Sequence, residues 1–68
     1  MKLSKCIMGV LVENKEGDIG HVVGLTRNML NKVQINNSVL GEVIPVIKWV
    51  DEPLPASIHH SNIELYRH

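Results

Sequence analysis

Two short segments, one near each end, most constrain how this chain can fold. Gly17-Asp18-Ile19-Gly20-His21-Val22-Val23-Gly24-Leu25 opens on a glycine turn and runs on as an alternating strand. Ile19, His21, Val23 and Leu25 share one face; Gly20, Val22, Gly24 and Thr26 share the other. Glycines at 20 and 24 on one face predict a close backbone approach or a sharp bend. Ala56-Ser57-Ile58-His59-His60-Ser61-Asn62-Ile63-Glu64-Leu65-Tyr66 reads as a short strand, a one-turn break and a last strand. Strands this short, bent this strongly, predict a tiny all-β domain.

The core available to it is small and aliphatic. The 68 residues contain no Phe, one Trp (Trp49) and one Tyr (Tyr66), although 44% are hydrophobic. That fraction suits a globular chain, and residues 1–68 are read as one domain. Val and Ile supply most of the apolar volume, and their stiff side chains favour a pleated surface. A domain of this size buries only about 60% of its unfolded surface, so a partner or self-association would add to its stability. Seven basic and seven acidic residues cancel. This argues against the strong, sequence-independent nucleic-acid binding that phosphate neutralisation drives, but not against a small local basic patch. Cys6 is the single cysteine. It rules out an intrachain disulfide and a multi-thiolate zinc site, and it favours a reducing cytoplasm. The apolar run 7–12 is too short for a membrane span and leads into charge, so neither signal peptide nor membrane anchor is expected.

Along the chain, residues 6–13 read as a first strand and 14–18 as a polar turn, ordered by Asp18 bonding its own backbone. Residues 19–26 form the second strand. Residues 27–38 carry four Asn and admit a helical turn around Met29 and Leu30 or a short strand near 32–36. Residues 41–50 form the third strand. Pro45 has no N–H to donate, which places it at a ladder edge or a bulge. With Lys48 outward, Ile44, Val46 and Val50 share the outer face, and Val43, Pro45, Ile47 and Trp49 point inward. A stiff turn at 51–55, a strand at 56–59, a 3₁₀ turn at 60–62 and a last strand at 63–66 complete the reading.

Gly17-x-x-Gly20-x-Val22 resembles the turn and strand of the KOW motif. Val46-Ile47-Lys48-Trp49 before a turn resembles the third strand of SH3-like barrels, and Ile58 to Ile63 resembles the strand, 3₁₀ turn and final strand that close them. Ile44-Pro45-Val46-Ile47-Lys48-Trp49 is also similar to the small SH3-like accessory subunit of photosystem I. The resemblance implies an all-β, five-stranded SH3-like barrel with a short 3₁₀ turn before the last strand. It also implies a binding module. Two aromatics are too few for the proline-rich peptide surface of SH3 domains or for the aromatic cage of Tudor-type readers.

No residue set suggests an enzyme. Cys6 with His21 or His60 lacks an orienting third group, and the carboxylates Asp18, Asp51, Glu52 and Glu64 lie in turns or at the last strand without opposed environments. His59 and His60, adjacent in an extended strand, would point to opposite faces and share no metal. No cofactor, metal or small-molecule substrate is expected. The first functional expectation is a non-enzymatic interaction module that binds a protein partner or a second copy of itself. Its surface would comprise Met29, Leu30, Ile44, Val46, Val50 and Tyr66. The alternative is a KOW-like, weak RNA- or DNA-binding protein using Arg27, Lys32, Lys48, Lys5 and Arg67. The photosystem similarity implies a further alternative, an accessory subunit of a larger enzyme complex.

Overall fold

The computed structural model describes residues 1–29 and 39–67. A one-turn 3₁₀ helix at Leu3–Lys5 precedes β1 (Leu11–Asn14), β2 (Ile19–Arg27), β3 (Val43–Trp49) and β4 (Ala56–Ser57). A second 3₁₀ turn, His60–Asn62, leads into β5 (Ile63–Leu65). Among the described residues all ladders are antiparallel, and they join the strands into one sheet of order β4-β3-β2-β1-β5. β4 and β5 lie at its two edges and no ladder joins them, so the sheet is open. The described residues are thus all-β, with the 3₁₀ turn where the sequence places it. Among the described residues no helix is long and apolar enough to cross a membrane.

The first strand is shorter than its apolar run predicts. Gly9 takes a φ of 91°, which ends extended backbone on its N-terminal side. Residues 9 and 10 still bond alongside β2: Gly9 N–H donates to the Val22 carbonyl at 2.7 Å, and Val22 N–H to the Val10 carbonyl at 3.0 Å. The β1–β2 turn is ordered by Asn14 rather than by Asp18. Asn14 Oδ1 accepts from the backbone N–H groups of Glu16 and Asp18, and Asn14 Nδ2 donates to Asp18 Oδ2. Gly17, at φ 88°, supplies the positive φ that such a turn requires.

Side-chain alternation builds the core. Val12 of β1 faces Gly20 of β2 on one side and Leu65 of β5 on the other, and Gly20 faces Trp49 of β3. Cys6, Val12, Val22, Ile47, Trp49 and Ile63 pack together, with Met1, Val10 and Ile58 against them. Each fully buried aliphatic side chain contributes about 1.5–3 kcal/mol. Trp49 therefore belongs to the interior. Gly20 is there because nothing larger fits: a Cβ would lie 2.7 Å from the Lys48 carbonyl oxygen and 2.9 Å from Trp49 Cε3.

The β2–β3 register shifts between Val22 and Gly24. A bulge of this kind bends the strand, and Pro45 pairs with Leu25 one step beyond it. Past the bulge the simple in–out alternation of β3 fails. Ile44, expected on the outer face, is wholly buried, as is its neighbour Pro45. Ile44 is thus unavailable to a partner.

Candidate functional site

The richest grouping of chemically active side chains lies where the start of β3 meets the second 3₁₀ turn. Val39, Leu40, Gly41 and Glu42 form a tight turn in which Glu42 N–H donates to the Val39 carbonyl at 3.1 Å. Gly41 has a φ of 86°, the conformation a type II turn asks of its third residue. Bonds from Gly41 N–H to the Asn28 carbonyl and from Asn28 N–H to the Glu42 carbonyl lock this turn onto the end of β2. Glu42 is thereby held in place. Its Oε1 accepts the Val39 N–H at 3.1 Å, and its Oε2 lies 2.9 Å from His59 Nε2.

His59 is the N-cap of the 3₁₀ turn. Its Nδ1 accepts from Ser61 N–H at 3.1 Å and lies 2.7 Å from Ser61 Oγ. An Nδ1 that accepts leaves the ring proton on Nε2, which therefore donates to Glu42. His60 carries the opposite tautomer. Its Nδ1 faces the Met1 carbonyl at 2.7 Å and must donate, so in the neutral ring Nε2 carries the lone pair. The Met1 amine donates in turn to the carbonyls of His60 and Ile63, so the start of the chain is fastened to this turn.

The two rings do not diverge as an extended strand would make them. The chain passes from the extended His59, at φ −65° and ψ 140°, directly into the 3₁₀ turn. The imidazoles stack, with centroids 4.3 Å apart and planes inclined by 30°. One ligand atom each from Glu42, His59 and His60 lie within 4.8 Å of one another, and all three residues are half-buried. Ser61, His59 and Glu42 also line up as hydroxyl, imidazole and carboxylate. The Nδ1 lone pair, however, is divided between the Ser61 hydroxyl and the Ser61 N–H, which makes it a cap rather than a general base.

Of the described residues singled out from the sequence, Met29 and Val50 lie far apart, as do Arg27 and Lys48. Met29 and Val50 are exposed, but they follow opposite ends of the β2–β3 ladder, roughly 23 Å apart at 3.3 Å per residue. Val46 and Tyr66 are half-buried, and Leu30 lies outside the described residues. Of the cations, Arg27 donates to the Gly41 carbonyl at 2.8 Å. Lys48 Nζ donates to the Trp49 carbonyl at 2.7 Å and to the Glu52 carbonyl. Arg27 and Lys48 are separated by roughly 17 Å along the sheet. Lys5 and Arg67 are exposed, and Lys32 lies outside the described residues. The Cys6 thiol is buried, and burial raises its pKa above the ordinary 9.0, as befits a structural side chain.

Sequence reasoning missed the Glu42–His59–His60 grouping because it judged His59 and His60 as neighbours on one extended strand, whereas the 3₁₀ turn begins at His60. The signal was present: His-His-Ser-Asn at a strand-to-turn junction is where a polar side chain caps its own backbone. No protein-family model, no curated protein and no solved structure matches the chain.

Proposed function

We propose that the chain is a small, non-enzymatic interaction module built on an SH3-like barrel. Two features support the barrel reading: the antiparallel ladder between the first and last strands, and the 3₁₀ turn that leads into the last strand. SH3-like barrels share both.

The observation that carries the interaction reading is the balance of apolar residues. Ten large hydrophobic side chains are exposed among the described residues, while six residues make the packed cluster. Three of the ten, Met29, Val39 and Leu40, gather at one end of the molecule, where Asn28 bonds to Gly41 and Glu42. Concentrated exposed apolar surface marks an interaction site. The docking surface is therefore this end of the β2–β3 hairpin, and the partner within reach of the chain itself is a second copy.

Sedimentation equilibrium over a wide concentration range tests this. The parent is expected to dimerise, Leu40→Glu to stay monomeric, and Leu54→Glu, in the β3–β4 turn, to behave as the parent. A parent that is monomeric at every concentration, or a Leu40→Glu variant that dimerises as well as the parent, refutes the assignment. The nucleic-acid alternative has less to stand on, because Arg27 and Lys48 are each engaged by backbone carbonyls and lie far apart.

A further inference from the structure

We propose that Glu42, His59 and His60 form a binding site for a divalent transition metal of the zinc class. The inference stands apart from the interaction reading and rests on donor chemistry, prior ordering and position in the fold.

The donor set is two imidazoles and a carboxylate. Zinc accepts that combination with a fourth position left for water or another ligand. Hard cations such as magnesium and calcium favour all-oxygen sets instead. Metal-bound bonds of about 2.0–2.1 Å place tetrahedral ligands about 3.3 Å from one another. The three atoms already lie within 4.8 Å, so side-chain rotation of at most about 1.5 Å completes the approach.

The supports that orient metal ligands are in place. His60 Nδ1–H is held by the Met1 carbonyl at 2.7 Å, which presents the Nε2 lone pair. The Glu42 carboxylate is fixed from behind by Val39 N–H. His59 Nε2 donates its proton to Glu42, and the metal takes that proton's place between them. The ring proton then moves to His59 Nδ1. There Ser61 Oγ, at 2.7 Å, changes from donor to acceptor, and Ser61 N–H gives up its cap. The ring proton is kept at His59 Nδ1, so this displacement releases no net proton.

The position suits a staple. Glu42 stands at the start of β3, whereas His59 and His60 stand between β4 and β5, the two unjoined edges of the sheet. An ion here ties the hairpin end to the closing turn in a domain whose core alone is small. Small domains commonly gain stability from such a link.

The test is a titration of the unaltered chain with zinc chloride, followed by calorimetry and by long-range ¹H–¹⁵N spectra of the imidazoles. One zinc per chain is expected, with the Nε2 resonances of His59 and His60 shifting and those of His21 unmoved. His60→Gln and Glu42→Gln are each expected to weaken binding about tenfold or more, a loss typical even of outer-shell changes. His21→Gln should leave affinity unaltered. The imidazole spectra need no variant, so a substitution that unfolds the chain does not shield the proposal. Absence of saturable uptake overturns it. So does ring perturbation centred on His21, or binding that is lost in Cys6→Ala yet survives in His60→Gln.

Discussion

Replacing Gly20 with alanine probes the tightest approach in the sheet. The added methyl would sit 2.7 Å from the Lys48 carbonyl oxygen, 2.8 Å from Ile47 Cγ2 and 2.9 Å from Trp49 Cε3. One of these neighbours is backbone, so β3 itself must give way. Overpacking of this kind costs about 1–3 kcal/mol. The loss of unfolded-chain freedom offsets about 0.4–1 kcal/mol of it. The expected net destabilisation is about 0–2.6 kcal/mol, against a total of about 3–10 kcal/mol for a chain of 68 residues. Gly24→Ala is the internal control. Its Cβ meets nothing within 4 Å and its φ is not positive, so it is expected to be neutral or slightly stabilising. Urea unfolding followed by Trp49 fluorescence reads both variants, since Trp49 is buried beside the substitution. In thermal melts the same loss lowers the midpoint by about 4–8 °C per kcal/mol. Equal stabilities for the two alanine variants would refute the claim that Gly20 is a steric requirement.

Three further expectations follow from single residues. Because burial raises the folded pKa of Cys6 above 9.0, its share of stability is whole below pH 9 and falls as pH rises through the folded value. Cys6→Ala should lose that alkaline slope in urea melts, and the native thiol should react with Ellman's reagent far more slowly than the unfolded one. Asn14→Ala removes the side-chain bonds that order the β1–β2 turn and should cost about 0.5–1.5 kcal/mol; a melt matching the parent would show the turn is held by Gly17 alone. Lys48→Met should loosen the residues 49–52 turn, seen as faster amide exchange at Val50 and Glu52, with a loss of about 1 kcal/mol or less. Unchanged exchange there would mean that the ammonium group does not hold the turn.

Much of the fold was readable from the chain because alternation and turn chemistry coincide in it. Residues 19–26 read as a strand after a glycine turn, and β2 spans Ile19–Arg27. Prolines 53 and 55 bound the turn before β4, and His60–Asn62 forms the expected 3₁₀ turn. What failed was governed by single long-range contacts. The apolar run at 6–10 reads as strand, but Gly9 at positive φ breaks it. Ile44 has an outward parity on paper, and only the irregularity opposite Val22 and Gly24 shows why parity stops applying. The Glu42–His59 pair joins residues that no local pattern connects.

The ladder between β1 and β5 also sets how the molecule must fold. Val12 pairs with Leu65, and Asn14 with Ile63, so nearly the whole chain lies between the partners. Closing so long a loop costs entropy before any contact repays it. The local β1–β2 and β2–β3 hairpins are therefore free to form early, while attachment of the last strand waits on them. A chain cut before Ile63 would keep its hairpins but lose the strand covering the outer edge of β1. In the living cell this defers completion of the sheet until Ile63 to Leu65 have left the ribosome.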